Sequence, residues 1–519
     1  MIAVRGFSKR PLVAGAITLA LANIITRIIG FAYRIFMAGA IGAEGMGLYQ
    51  LIMPVYSLAW SISCSGITTT LSRLVAAEQA KGETGNMRHL LLLSLTASII
   101  ISLVLTFILF IFAEYIGVTI LNDARTVSSL RILTVSIVFM AAGSCIRGYF
   151  LGLQKVMIPA VSQILEQLVR MAIILILAAG LISRGLEYAI IAATIGIVAG
   201  ETISFVYVFI ACKMHLKKLP RILPKMSNRQ ALFAIFAMSM PLTLNRISGS
   251  FLSTLENILI PQRLQLFGMT AEEAMSTFGK ITGMAMPLIF FPSALLTALS
   301  ISLVPSISEA LAVKNTQRVE NVISKSIIFT SVISFGAGLI FIVFPAEIGH
   351  IVYNQELGQI LFVLGFMCPF WYINITFSGI LNGLEQQVFI FRNSLLASII
   401  NILFVYFFVP IYGVNAFLFG WLTSLIIVTI FDIDRIKTHA NIKPQVLRWF
   451  LKPSLAAAAA GLSINYIHNR YIMDYIGELW GFIVSLTLLM VIYIIFVVML
   501  DCISVQDIRH ILGKEKISK

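Results

Sequence analysis

The sequence predicts an all-α integral membrane protein of about fourteen transmembrane helices, built as two parallel six-helix lobes followed by two accessory C-terminal helices. Three observations carry this reading. Of 519 residues, 59% are hydrophobic and 12% charged, and the mean hydropathy is +0.95, well away from the roughly 25% charged residues of soluble domains. Apolar runs of roughly 20 residues recur along the chain, each able to cross about 30 Å of hydrocarbon at 1.5 Å per residue. Several short patterns also return in the same order later in the chain, the mark of an internal duplication.

Runs bounded by Gly, Pro and charge give spans at roughly 12–38, 47–74, 90–116, 128–150, 158–182, 186–212, 231–256, 280–310, 325–345, 357–381, 388–410, 413–432, 449–468 and 479–500. The first follows Arg5, Lys9 and Arg10 as a signal sequence would, but it carries Arg27 and Arg34 and lacks a clear cleavage site, so it reads as a retained helix. The second, seventh and eighth contain Pro54, Pro241, Pro287, Pro292 and Pro305. Each removes a backbone hydrogen bond, so these spans are expected to bend. The loop after the second span, with Ala76, Glu78, Lys81, Gly82 and Glu83, lacks the Asp-Arg-Gly signature of the major facilitators. The thirteenth span begins with Ala456 to Ala460 and Gly461, small residues that permit close helix approach as readily as they leave a channel.

The formal charge is +14. Its placement reflects membrane topology and excludes nucleic acid as a partner. With the N-terminus cytoplasmic, about 27 of the 37 lysines and arginines fall at inside loops and span ends, about 6 outside and about 4 within spans. An even number of spans then puts both termini inside. Lys213, Lys217, Lys218, Arg221, Lys225 and Arg229 form a basic inside linker between the halves that can touch anionic lipid. The expected organisation is an N-lobe over 1–212, a linker over 213–230, a C-lobe over 231–437, and an accessory pair with a cytoplasmic tail over 438–519. Cys64, Cys145, Cys212, Cys368 and Cys502 have no CxxC pair and no neighbouring histidines, so neither disulfides nor a metal site are expected.

The duplication has an offset of about 232 residues. Met53-Pro54 returns as Met286-Pro287; Phe112, Ile116-Gly117 and Asn122 return as Phe344, Ile348-Gly349 and Asn354; Gly148 and Gly152-Leu153 return as Gly379 and Gly383-Leu384. Arg27-Ile28-x-Gly30 has a counterpart in Arg246-Ile247-x-Gly249. A repeat of six spans relates the halves by an axis along the membrane normal and suits alternating access around a cleft.

Charges within the spans are the candidate functional residues, because each costs at least about 2.5–3.5 kcal/mol near the bilayer centre. Arg27 and Arg34, seven residues apart, share one helical face. Arg246 matches Arg27 in the repeat, and Lys280 opens the eighth span. Guanidinium donors in a cavity suit a diphosphate; the alternative is that these cations snorkel or pair with carboxylates. Glu201, central in the sixth span, is the sharpest candidate for coupling to H⁺ or Na⁺, with Arg170 or Arg246 as alternative structural partners. Glu166 and Arg170, four apart, are placed to satisfy each other. Glu166 and Glu256 are further candidates for ion coupling; Glu256 lies near the outer end of the seventh span, where a solvated helix end is the alternative. No P-loop, HExxH or nucleophilic histidine arrangement occurs, so no enzyme activity and no cofactor are expected. Energy would come from an ion gradient, the membrane potential or the substrate gradient.

The stretch Arg27-Ile28-Ile29-Gly30-Phe31, the run Gly42 to Leu51, the run Gly66 to Ala76 and the run Leu255 to Pro261 resemble the polysaccharide-exporter branch of the multidrug/oligosaccharidyl-lipid/polysaccharide (MOP) exporters. Within it the chain is similar to the stage V sporulation protein B group, relatives of the MurJ lipid II flippases. The resemblance covers essentially the whole chain. It implies movement of an undecaprenyl-diphosphate-linked glycan, the peptidoglycan precursor for spore cortex, from the inner to the outer leaflet of the bacterial cell membrane. Arg27 and Arg34 match cavity arginines of the first helix, the second with a one-residue insertion. The second-helix arginine has no match near Met53-Pro54, the eighth-helix arginine is replaced by apolar residues around Leu288, and Lys280 lies about two turns upstream. A cation-coupled small-molecule exporter of the same superfamily is the alternative, and a membrane-embedded glycan polymerase or scaffold a third reading.

Overall fold

A computed structural model describes the backbone of residues 9–181, 185–220, 222–440, 445–468 and 478–502. Side chains are described within these segments from residue 25 onward, apart from 178, 179, 181 and 478. The described residues are helical with short connections and contain no strand. They pack as two compact units, Met1–Gly283 and Met284–Lys519.

The first unit holds α1 (Lys9–Trp60), a π-turn (Ser61–Ser65), α2 (Gly66–Lys81), α3 (Thr84–Ile111), the short α4 (Ala113–Tyr115), α5 (Thr126–Gly152), α6 (Met157–Leu181), α7 (Leu186–Lys218), α8 (Asn228–Leu266) and α9 (Ala271–Phe278). The second holds α10 (Met286–Phe290), α11 (Ser293–Ala312), α12 (Thr316–Val343), α13 (Pro345–Tyr353), α14 (Gly358–Gly383), α15 (Gln387–Leu403), α16 (Val409–Tyr412), α17 (Val414–Ala440), α18 (Lys452–Ile467) and α19 (Glu478–Met499).

Twelve helices among the described residues are long and apolar enough to cross a membrane. The predicted count of about fourteen follows once two features are seen. A single continuous stretch, Ile25–Lys81, carries the first two spans. Its break is Gly42 (φ 68°, ψ −174°), a positive-φ extended conformation that is essentially reserved for glycine and costs other residues about 1–3 kcal/mol. The thirteenth span is α18, whose 16 residues are short for a bilayer but continue from a π-turn at Leu447–Leu451. The proline expectation divides. The eighth span is interrupted, as π-turn Gly279–Ala285, α10 and α11, whereas α8 runs unbroken through Pro241 and Pro261.

Each unit has its own core. In the first, Leu71, Val75, Leu90, Tyr149, Phe150 and Ile235 are buried together; in the second, Ile307, Ile323, Phe377, Ile380 and Trp449. The outward face of α3 is apolar, with Ile100, Leu103, Val104, Phe107 and Ile111 all exposed. Phe107 exposes 67% of its surface. A continuous apolar stripe of this length belongs in lipid, not water. All five cysteines are free and buried.

The linker before α8 is tied to the loop after α2. Asn86 donates to Glu78 at 2.7 Å and accepts from the backbone N–H groups of Lys225 at 2.9 Å and Met226 at 3.1 Å, while the Lys225 ammonium pairs with Glu83. Ser227 and Gln230 then form a reciprocal cap that starts α8, satisfying N–H groups the first turn leaves unpaired. The accessory helices dock by their small face: Ala456, Ala457 and Ala460 are buried, and the Tyr493 hydroxyl of α19 donates to the Val332 carbonyl of α12 at 2.8 Å.

Candidate substrate and coupling site

The predicted cations all lie in the first unit. Arg27 and Arg34 are exposed on α1, beside the buried stripe of Tyr33, Met37 and Ile41 spaced at one helical turn. Neither makes a hydrogen bond or ion pair among the described residues. Lys280 is half-buried in the π-turn after α9. That segment is pressed onto the start of the second span: Gln50 Nε2 donates to the Thr282 carbonyl at 2.7 Å, and a methyl at Gly279 would lie 1.9 Å from the Ala43 carbonyl oxygen.

Arg246 is exposed on α8, and its guanidinium carbon stands 5.3 Å from the centre of the Trp60 ring. Local sequence explains the placement. Trp60 ends α1 at the π-turn, a local widening that leaves backbone carbonyls without their usual partners. The serines of this run supply replacements: Ser61 donates to Ser57 O at 2.9 Å, Ser63 to Ala59 O at 2.7 Å and Ser65 to Ser61 O at 2.8 Å. In a bilayer such internal satisfaction is required. The helices are then held in register, with the Ser61 and Ser250 hydroxyls bonded at 2.7 Å and Thr254 donating to Pro54 O at 3.2 Å.

A second cluster surrounds Glu201 of α7, which is 6% exposed. Its Oε1 accepts from the Tyr56 hydroxyl at 3.2 Å, whereas Oε2 is buried and makes no hydrogen bond. Arg170 does not pair with Glu201; it bonds Glu166 at 2.8 Å on its own helix α6, as their spacing predicts. Arg147 of α5 donates to Ser204 at 3.2 Å and Ser144 at 2.7 Å. Neither arginine hydrogen-bonds or ion-pairs with Glu201. Glu256 is half-buried on α8, ten residues or about 15 Å of rise beyond Arg246.

Arg147, Tyr56 and Trp60 are absent from the sequence-based site. Arg147 lies three residues inside the predicted end of the fourth span, where it reads as an interfacial anchor, and an aromatic in an apolar run carries no signal of its own. The second unit holds a further buried acid. Asp432 of α17 is 4% exposed and accepts from Asn393 at 2.8 Å; one turn back, Thr429 donates to Asn374 at 3.3 Å.

Residues 12–311 match the family described as polysaccharide biosynthesis protein, and residues 265–407 match MatE. The chain is 30% identical over 431 residues to stage V sporulation protein B of Bacillus subtilis (strain 168), covering 82% of this chain and 83% of that protein. It is 22% identical to lipid II flippase MurJ of the same organism, covering 84% of each. Among solved structures it is similar to a lipid II flippase MurJ in an inward closed conformation, with a TM-score of 0.71 and 17% identity over 92% of this chain and 98% of that one. It is also similar to a multidrug resistance MATE family transporter of the MOP superfamily, with a TM-score of 0.66 and 13% identity over 83% of this chain and 100% of that one.

Proposed function

The chain belongs to the polysaccharide biosynthesis protein family, a multi-pass membrane transporter family of the MOP type rather than an enzyme family, and from that premise we propose that it flips an undecaprenyl-diphosphate-linked glycan. The direction is from the inner to the outer leaflet by alternating access, in a bacterial cell membrane with both termini cytoplasmic. The relative named stage V sporulation protein B and the flippase named for lipid II support peptidoglycan precursor as the glycan and sporulation as the setting.

One observation carries the substrate class. Arg246 is an exposed guanidinium within an apolar helix that contacts an aromatic face and no carboxylate among the described residues. An arginine held at membrane depth without a counter-anion suits a ligand that supplies one, and a diphosphate matches its planar donors. Arg27, Arg34 and Lys280 add positive charge in the same unit. Coupling falls to Glu201, whose second oxygen is buried and unbonded, where a proton or a sodium ion would offset its charge; Glu166 is engaged by Arg170. Reconstituted protein and a fluorescent undecaprenyl-diphosphate glycan test the reading: Arg246→Ala and Arg27→Ala are expected to lose flipping while reconstituting normally. Efflux of a lipophilic cation by a wild type that leaves the glycan unmoved would replace it with the small-molecule exporter.

A further inference from the structure

We infer that Trp60 is a positioning residue for an anion subsite at Arg246, stabilising the charged guanidinium through its face so that its in-plane N–H donors stay free for phosphate oxygens. The inference rests on the diphosphate reading above and deepens it.

An arginine on an apolar helix has two common ways of being stabilised by protein. A carboxylate partner takes up to two of its five N–H donors in the guanidinium plane, which is how Glu166 engages Arg170. An aromatic partner acts from the face, through the ring quadrupole, and consumes no donor. Arg246 uses the second. Its carbon lies 5.3 Å from the Trp60 ring centre, within the roughly 6 Å range of such contacts, and it has no ion pair among the described residues. Charge is thus partly compensated while hydrogen-bonding capacity is kept for a ligand.

The support around the pair is rigid where it needs to be. Trp60 stands at the junction of α1 and the π-turn, whose carbonyls are capped by serine hydroxyls. The Ser61–Ser250 and Thr254–Pro54 bonds join the two helices at the residue after Trp60 and at positions four and eight residues beyond Arg246, which limits sliding of one helix past the other. Trp60 itself is only half-buried, which leaves its face available to the cation. Local π-turns at such places are a frequent feature of functional sites.

The test uses the purified full chain in nanodiscs with three probes: undecaprenyl diphosphate, inorganic pyrophosphate and uncharged undecaprenol. The chain has five tryptophans, so the emission of wild type minus that of Trp60→Phe isolates Trp60. Undecaprenyl diphosphate is expected to change that difference spectrum. Trp60→Phe should bind within about threefold of wild type, and Trp60→Leu roughly three- to thirtyfold more weakly, with undecaprenol binding and melting temperature unchanged. Arg246→Lys, which keeps charge and loses the planar fork, should bind weakly while Trp60 emission persists, and it serves as the second variant where Trp60→Leu does not fold. Wild-type affinity in Trp60→Leu or in Arg246→Lys overturns the inference, as does an equal loss of undecaprenol binding, which would make the ring a contact for the lipid tail. Where wild type ignores undecaprenyl diphosphate, the proposed substrate fails. Trp60-dependent pyrophosphate binding would then still uphold the anion subsite, and absence of pyrophosphate binding would overturn it too.

Discussion

Glu201 and Glu166 sit one helix apart in the same membrane-embedded cluster, and their contacts give them different work. Glu201→Gln keeps size and an acceptor for Tyr56 while removing the charge, so flipping driven by an imposed proton or sodium gradient is expected to lose its gradient dependence with folding intact. Full gradient stimulation in reconstituted Glu201→Gln would assign coupling elsewhere, with Asp432 the next acid to test. Glu166 is structural in this account. Its side chain is 14% exposed and that of Arg170 15%, and breaking such a pair by removing one partner leaves a buried charge at a cost of about 3–5 kcal/mol. Thermal melting in detergent should therefore fall sharply for Glu166→Ala and less for the double substitution with Arg170→Leu. Equal losses would argue against an uncompensated Arg170 as the cause. Glu201 and the Glu166–Arg170 pair were legible from sequence because a charge in an apolar run is conspicuous and a spacing of four is local. Arg147, Tyr56 and Trp60 were not, because their importance lies in partners 57, 145 and 186 residues distant, which no local pattern encodes.

At the scale of elements, the entry to the eighth span is fastened to the start of the second with almost no space between backbones. A methyl at Gly47 would lie 2.1 Å from the Met275 carbonyl oxygen, and one at Gly279 would lie 1.9 Å from that of Ala43. Gly279→Ala is expected to force these segments apart. If the contact must form in each transport cycle, flipping should fall by at least about tenfold while α3 and α5, packed elsewhere in the unit, keep their hydrogen-exchange protection. Unchanged flipping would mean the contact is dispensable. The span pattern was readable because roughly 20-residue apolar runs have no other stable use, and the interrupted eighth span was readable from its prolines. Sequence did not reveal that the first two spans form one stretch through Gly42, since a turn-rich Gly-Ala-Glu-Gly run reads equally as a loop. Nor did it reveal that the linker is fixed through Asn86.

For the whole molecule, the division by packing at Gly283 and the division by repeat at the basic linker describe different properties: one records contacts in this structure, the other the proposed history of duplication and the lobes that move. Because α8 packs with the first unit, both Arg27 and Arg246 belong to it, and the proposed anion site is assembled before any rearrangement of the second unit is invoked. Transport of a diphosphate-linked lipid by this cationic set is the central claim, and leaflet-resolved flipping in proteoliposomes tests it most directly. Fluorescent undecaprenyl-diphosphate glycan placed in both leaflets is bleached from one side by a membrane-impermeant reductant. Wild type should render nearly all of the label accessible, while Arg246→Ala leaves the protected half seen in empty liposomes. A wild type no faster than empty liposomes under any imposed ion gradient or potential, or an Arg246→Ala as fast as wild type, would contradict the account.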